Sequence, residues 1–393
     1  MSSVNSFETD MRKLRRKRKT KRTIKNLLFI FSVILVAGII YVTQDKWIGY
    51  LDGILERAQS NTPFGEASIA SGNYPIDISK KTNTAIGTIQ NGWTLFADTE
   101  FYVYDHSGDI SFSVQASYSN PIITSAQKRT LIYDLGGYNF MVCSSKKQVF
   151  SKKLTDQILL GAVGEDGSVA IVTSTDKYTS YLTVYDRNGS EIFHWADGNM
   201  ITAVAIDKSG KGCLVSSSYA FEGDYRSSVT MLDFSSTDIK FKTSPVKSLT
   251  FALGYCDNNS FWLLADDALY RFSLEGDVEF KYDFDFDLVS YSFSNSSCAL
   301  IFENVGVNNT NISIISVDSQ DVTNLTSEDN VRHLHVDGNT VYYNTDTKLF
   351  AVNSKGEPLA TADLDEKYRS FAVLNDSVYL LGYRHIQRID FVH

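Results

Sequence analysis

Six histidines, four cysteines and five prolines in 393 residues leave this chain short of the side chains that make reactive centres and cross-links. Cys143, Cys213, Cys256 and Cys298 are scattered, with no C-x-x-C pair. That spacing excludes a disulfide scaffold or a zinc framework, and the four read as small buried hydrophobes. Of the histidines only His333 and His335 lie close together, two apart on a strand and so on one face. A metal would need a third ligand from a distant segment, so the pair reads as two ordinary half-buried residues. No glycine-rich loop links a strand to a helix, because no helical pattern exists beyond residue 60. No G-x-S-x-G occurs, and no Ser/His/Asp order stands out. Catalytic, cofactor-binding and metal-binding residues are therefore all expected to be none, and the chain is read as not an enzyme.

What the chain has in abundance is a repeat. FYVYDHSGDISFSV (101–114), LTVYDRNGSEIFHW (182–195), LYRFSLEGDVEFKY (269–282) and LFAVNSKGEPLATA (349–362) each alternate, turn at a polar glycine-containing step, and alternate again. With 22 Tyr and 24 Phe and little proline to interrupt them, such runs favour strands. Hairpins at a period near forty residues are the signature of a β-propeller. Two series of turns can be counted independently. First hairpins are marked at Asn91-Gly92, 127–129, Asp166-Gly167, Ser209-Gly210, Asn258-Asn259, Asn295-Ser296, Asp337-Gly338 and Asn375-Asp376. Outer hairpins are marked at Ser107-Gly108, Ser145-Lys146, Asn188-Gly189, Ser235-Ser236, Glu275-Gly276, Ser319-Gln320 and Lys355-Gly356.

Eight of one series and seven of the other imply a last repeat that ends after its third strand. Its fourth strand must come from elsewhere or leave an open edge. The segment 74–79 (YPIDIS), just ahead of the first repeat, is the expected donor. The fold class is thus all-β, an eight-bladed propeller, with seven blades as the alternative if one weak repeat is not a blade. The segments 122–125, 160–163, 203–206, 249–253 and 334–336 should line the central channel.

Charge divides the chain by position. Residues 1–26 hold ten Lys and Arg against Glu8 and Asp10, a tail of +8, so the remainder of a chain of net −9 carries −17. Uncharged apolar residues follow from Leu27 to Val42, close to the length of a membrane span. The reading is a basic cytoplasmic tail (1–26), a transmembrane helix (27–43), a helical stalk (44–63) and an extracytoplasmic propeller (64–393). The lysines and arginines hold the N-terminus inside, making a single-pass cell-membrane protein. The competing reading is a cleaved signal peptide with Val36-Ala37-Gly38 at its cleavage site. The tail suits anionic lipid headgroups, whereas the acidic propeller should repel nucleic acid. Trp47, Ile48, Leu51, Ile54, Leu55 and Ala58 form one helical stripe, a candidate for weak dimerisation through the stalk.

Two further features bear on function. Asp283, Asp285 and Asp287 alternate with Phe284, Phe286 and Leu288 and are read as the solvent face of one outer strand, whose charge discourages edge pairing. Connections between second and third strands are long at 219–228 (YAFEGDYRSS) and 303–311, and moderately long at 174–181. Long loops carry binding more often than scaffolding does. Tyr219, Phe221, Tyr225 and Arg226 are residue types enriched at interface hot spots and are the candidate partner-binding residues. The expected function is a surface binding or scaffolding domain for a protein or envelope polymer. An extracellular enzyme or solute sensor using the central channel is the alternative.

The hairpins resemble those of propellers related to quinoprotein dehydrogenases, which read roughly Leu-Tyr-x-x-Asp-x-x-x-Gly-x-x-x-Trp. Leu182, Val184, Asp186, Gly189 and Phe193 follow that pattern loosely, as do Leu269, Tyr270, Gly276 and Phe280, with Phe in place of the Trp. No residues match a quinone or calcium site, so the resemblance implies the fold and not the enzyme. The whole layout of basic tail, single span, short stalk and degenerate propeller looks like an uncharacterised family of membrane-anchored propellers in Gram-positive bacteria. That resemblance implies a location and no activity.

Overall fold

The computed structural model describes residues 65–391, apart from 70, 71, 83, 237 and 304–308. The expected tail, membrane helix and stalk lie outside these residues. Among the described residues no helix is long and apolar enough to cross a membrane.

The repeating turn sets the architecture. In each well-formed copy the residue ending the third strand folds its side chain over the turn. Asp186 accepts from the backbone amides of Asn188 and Ser190 at 2.9 and 2.8 Å, and Asp105 does the same for Ser107 and Asp109. Asn353 repeats it for Lys355 and Glu357. Three residues past Asp186, Gly189 takes φ +91°, the left-handed backbone glycine adopts without strain. The Asp-x-x-Gly signature is therefore turn chemistry that closes a hairpin.

Eight blades result, spanning 85–115, 121–153, 158–197, 200–242, 250–283, 287–327, 333–363 and 370–391. Their strands are named A to D from the channel outward. Blades 1 to 6 are separate four-stranded antiparallel sheets, and all fifteen expected turns fall between paired strands. The eight-bladed reading holds.

Burial varies with distance from the channel. Every residue of strand 1B (Gly92–Ala97) and of strand 5B (Ser260–Ala265) is buried. Second strands are covered on both faces by neighbouring blades, so they read as continuous apolar runs. Outer strands such as 1D (Ile110–Gln115) alternate instead. The core consists of seams between blades. Phe96, Phe101 and Val103 of blade 1 pack on Ile132, Met141 and Cys143 of blade 2. Ala170, Val172 and Leu182 of blade 3 pack on Cys213, Val215 and Leu232 of blade 4. Each buried Val, Leu, Ile, Phe or Met among them contributes about 1.5–3 kcal/mol, so the ring is held by many such seams.

The ring closes as a join between the two ends of the chain. Ile76–Asp77 pairs with Ile386 and His385 of the final strand, His385–Phe391, within the expected donor segment. The longer pairing lies upstream of it: Gly65–Ile69 runs antiparallel to the final strand, with Ala67 opposite Phe391 and Ile69 opposite Ile389. Gly65 and Glu66 also pair in parallel with Ala360 and Thr361 of strand 7D (Pro358–Asp363), which fuses blades 7 and 8 into one nine-stranded sheet. A polar cluster locks the join on the blade 1 side. Trp93 donates to Tyr74 Oη at 2.8 Å and stacks on Tyr104, while Arg388 donates to the His106 carbonyl and pairs with Asp390.

Candidate functional site

Connections between strands B and C open on one face of the ring, and the A–B turns on the other. The first is called the ribbon face here, for what blade 4 does there. The segment 219–228, expected as a loop, is a continuation of two strands. Strands 4B (Gly212–Phe221) and 4C (Asp224–Asp233) pair without interruption from Gly212–Asp233 to Phe221–Asp224. The turn is only Glu222-Gly223, with φ +54° and +89°. Two left-handed residues match the twist of a two-residue hairpin turn, so the strands need not splay. Strand 4A (Met200–Ile206) pairs only as far as Ser218, and beyond it the hairpin projects as a two-stranded ribbon.

Register places the four candidate residues. Tyr219 sits opposite Arg226 and Phe221 opposite Asp224, so Tyr219, Phe221 and Arg226 share one face. Tyr225 is opposite Ala220 and lies on the other face. The Arg226 guanidinium covers the Phe221 ring at 4.6 Å and meets Glu222 at 3.8 Å. Phe221 and Tyr225 remain 47% and 59% exposed, which is far more than their packing accounts for. The ribbon base is fixed by buried hydroxyls. Ser218 and Ser227 bond across the strand pair at 2.7 Å, and Ser227 donates to the Ser248 carbonyl ahead of blade 5. The other long connections differ. At 174–179 the chain is tied tightly, with Tyr178 N donating to Thr175 Oγ1 at 2.9 Å, and most of 303–311 lies outside the described residues.

Exposed apolar side chains gather on the same face. Of fourteen large exposed hydrophobics among the described residues, nine sit at the ribbon-face ends of their strands or in the connections there. Six of the nine, Met200, Phe221, Tyr225, Phe251, Phe286 and Val289, belong to the three consecutive blades 4 to 6. Leu135, Tyr138 and Tyr383 are the others. Tyr291, touching Phe251 at 5.8 Å between ring centres, carries the patch into the channel wall. Sequence reading found the ribbon aromatics through loop length. It missed Phe251, Phe286 and Val289, which the fold gathers from separate repeats.

The three aspartates also move. Asp283 ends strand 5D (Val278–Asp283), Asp285 lies in the connection between blades, and Asp287 begins strand 6A (Asp287–Phe293). They do not line one outer strand, because Phe284 to Phe286 turns inward from rim to channel. Phe284 packs against Phe302 of blade 6 at 5.1 Å.

Two cavities lie at the opposite, turn-side mouth of the channel. A cavity of about 370 Å³ there is lined by Gln90, Asn91, His106, Gln127, His335, Asp337 and Asn375. A second of about 310 Å³ is lined by residues including Glu165, Lys208, Tyr255 and Asn295. The walls of the inner strands are mostly apolar or small as expected, but strand 7A (His333–Asp337) adds His333 and His335, and the mouth is polar. Burial pushes His335 down to about 4, and burial together with His335 does the same to His333, whose ring stands edge-on to Phe371. Burial and the nearby Asp376 raise Asp337. Both imidazoles are therefore neutral at neutral pH. Among the described residues no three His, Cys, Asp or Glu side chains converge as metal ligands. All four cysteines are buried free thiols, with burial pushing Cys143 up to about 12 and Cys256 to about 11. Such thiols are inert as nucleophiles.

Comparison with known proteins supports the fold. Sqt1 from Saccharomyces cerevisiae superposes with a TM-score of 0.59 at 12% identity, over 82% of this chain and all of that one. BamB from Moraxella catarrhalis gives 0.53 at 11%, over 83% of this chain and all of that one. The quinohemoprotein alcohol dehydrogenase from Comamonas testosteroni gives 0.56 at 10%, over 83% and 76%. At 10–12% identity these likenesses show the fold alone. A search of curated protein sequences found no match. The profile of a family of unknown function, DUF5711, matches residues 66–391, from the closing strand to the end of the last blade, and the chain belongs to that family.

Proposed function

We propose that this protein is a non-catalytic binding or scaffolding propeller, held at the cell membrane by residues 27–43 with the propeller outside, and that it engages a protein or envelope polymer through the ribbon face. The observation that carries the reading is the one-sided placement of exposed aromatic and aliphatic side chains, centred on the projecting ribbon of blade 4. Exposed apolar side chains gathered on one face cost solubility unless something covers them. Tyr219, Phe221, Tyr225 and Arg226 are its most prominent members, and their base is rigid, so a partner meets a preorganised surface. The +8 tail and the apolar run that follows support the anchor and its orientation. An enzyme or solute sensor in the channel is the alternative, and the cavity at His335 and Asp337 is what favours it.

Crosslinking of intact cells with a membrane-impermeant reagent tests both parts. The wild-type chain is expected to trap a partner. The variant with Tyr219, Phe221, Tyr225 and Arg226 changed to Ser is expected to trap far less while melting within a few degrees of wild type, since Phe221 and Tyr225 are exposed and Tyr219 and Arg226 lie half-exposed on a ribbon that projects beyond strand 4A. Crosslinking only after cell lysis would overturn the outward orientation. Undiminished capture by the variant would remove the ribbon from the contact.

A further inference from the structure

We infer that the ribbon-face sector of blades 5 and 6 docks a cationic segment whose basic residues are interspersed with apolar ones. This rests on the reading of the ribbon face as the binding surface and specifies the chemistry of what it binds. Six carboxylates are exposed on the B–C connections of the two blades and on the segment that joins the blades: Asp266 and Asp267 in the turn after strand 5B, Asp283 and Asp285 along the joining segment, and Asp287 and Glu303, which sit opposite each other in blade 6. They are adjacent in space as well as exposed. Asp283 pairs in register with Ala268, and Phe284 N donates to the Asp267 carbonyl. Against six negative charges stand Lys281, which pairs with Asp283 at 2.5 Å, and Lys247 ahead of strand 5A (Thr250–Tyr255). Among the described residues Asp285, Asp287 and Glu303 have no ion-pair partner.

The same sector is not merely acidic. Phe286 and Val289 are 41% and 57% exposed among these carboxylates, and a patch that mixes exposed apolar groups with unpaired like charge is not arranged for solubility alone. Beside them a groove of about 220 Å³ runs between Tyr282 and Phe302, with Asp285 and Phe286 at its rim and Asn311 and Ser313 deeper in. Its aromatic walls and the carboxylate of Asp285 match the chemistry of a long side chain with an apolar stem and a cationic head. The stem of a lysine or arginine lies along the rings, and its charge meets Asp285. The ribbon base leads into the sector: Val246 bridges to Ser227, and Phe251 of strand 5A touches Tyr291 of strand 6A.

The test uses the full-length chain in nonionic detergent and a fluorescein-labelled peptide of alternating lysine and leucine. Binding is expected, weakening as salt is raised, because exposed charges are screened. The variant D267N/D285N/D287N/E303Q is expected to bind roughly tenfold or more weakly, since rim charges set encounter and register. E275Q/D277N/D318N/D321N removes four carboxylates from the same two blades at their opposite, turn-side ends and is expected to bind as wild type does. A glutamate–leucine peptide is expected not to bind. Equal losses in both variants, no loss in the first, or equal binding of the acidic peptide would overturn the inference, since each would mean that overall charge or detergent-like adhesion is at work. All substituted positions are surface residues, and an unchanged melting temperature confirms that both variants are folded. If the cationic peptide fails while crosslinking through the ribbon succeeds, this inference falls and the binding role stands. If both fail, the role falls too.

Discussion

Arg271 carries a charge into the interior of the ring. It is 6% exposed, donates to the Val317 carbonyl at 2.7 Å, reaches Glu279 at 3.4 Å and lies between Trp262 and Phe280. Val317 belongs to blade 6, so one guanidinium ties two blades across their seam. Replacing it leaves a buried carbonyl without its donor, which is the expensive direction for a hydrogen bond. Arg271→Met is expected to cost about 2–4 kcal/mol, read as a lower urea midpoint. Arg271→Lys is expected to recover only part, because an ammonium cannot reach carbonyl and carboxylate in the same plane. A midpoint within error of wild type for Arg271→Met would show the seam to be held by apolar packing alone. Nothing in the sequence distinguishes Arg271 from the many surface cations on strands. Its role depends on a carbonyl 46 residues away, at a contact that exists only when the blades stand side by side.

At the scale of elements, the strand that completes blade 8 is the least substantial and the most consequential. Removing residues 1–61 leaves Gly65–Ile69 and Ile76–Asp77 in place and is expected to give a soluble folded ring. Removing residues through Asp77 uncovers the full length of the final strand, leaving a row of unpaired amides and carbonyls at an edge built to be covered. That truncation is expected to aggregate or to melt at a clearly lower temperature. Equal melting of the two forms would show that the seams alone hold the ring. Elements of this kind mark where sequence reading stopped. The turns were legible because Asp186 and Gly189, or Asn353 and Gly356, must be those residue types for the backbone to close. Gly65–Ile69 (GEASI) has no such requirement: its place is set by the partner strand and not by its own pattern. The ribbon was recognised as unusual by its length, but Glu222 at a left-handed position disguised a two-residue turn as a loop. The apolar patch of blades 4 to 6 was not legible, because Phe221, Phe251 and Phe286 are each unremarkable in their own repeat.

At the scale of the whole molecule, the channel ties stability to pH. His333 and His335 have folded values near 4 against an ordinary 6.5, because burial disfavours their charged forms. A folded value below the unfolded one means that the unfolded chain takes up protons first as pH falls. Their contribution is therefore complete above pH 6.5 and is lost on descending from there to about 4. It amounts to about 3 kcal/mol each at most, reduced because both rings are only half-buried. His333→Gln/His335→Gln is expected to flatten the melting temperature across that window. Asp346, held near 2 by Arg332 and Lys367, releases its share only at lower pH, so the two effects separate. An unaltered pH profile in the double variant would place the acid sensitivity elsewhere. The ring is also a single circuit whose first strand is made early and used last. At synthesis rates of about 5–20 residues per second, Gly65 waits roughly 15–65 s for its partner in the final strand. Blades 1 to 6 each hold all four of their strands locally and can form in order as they emerge. Blade 8 cannot, so for that interval the growing protein is an open arc, and the moment of completion is set by the clock of translation rather than by any local folding step.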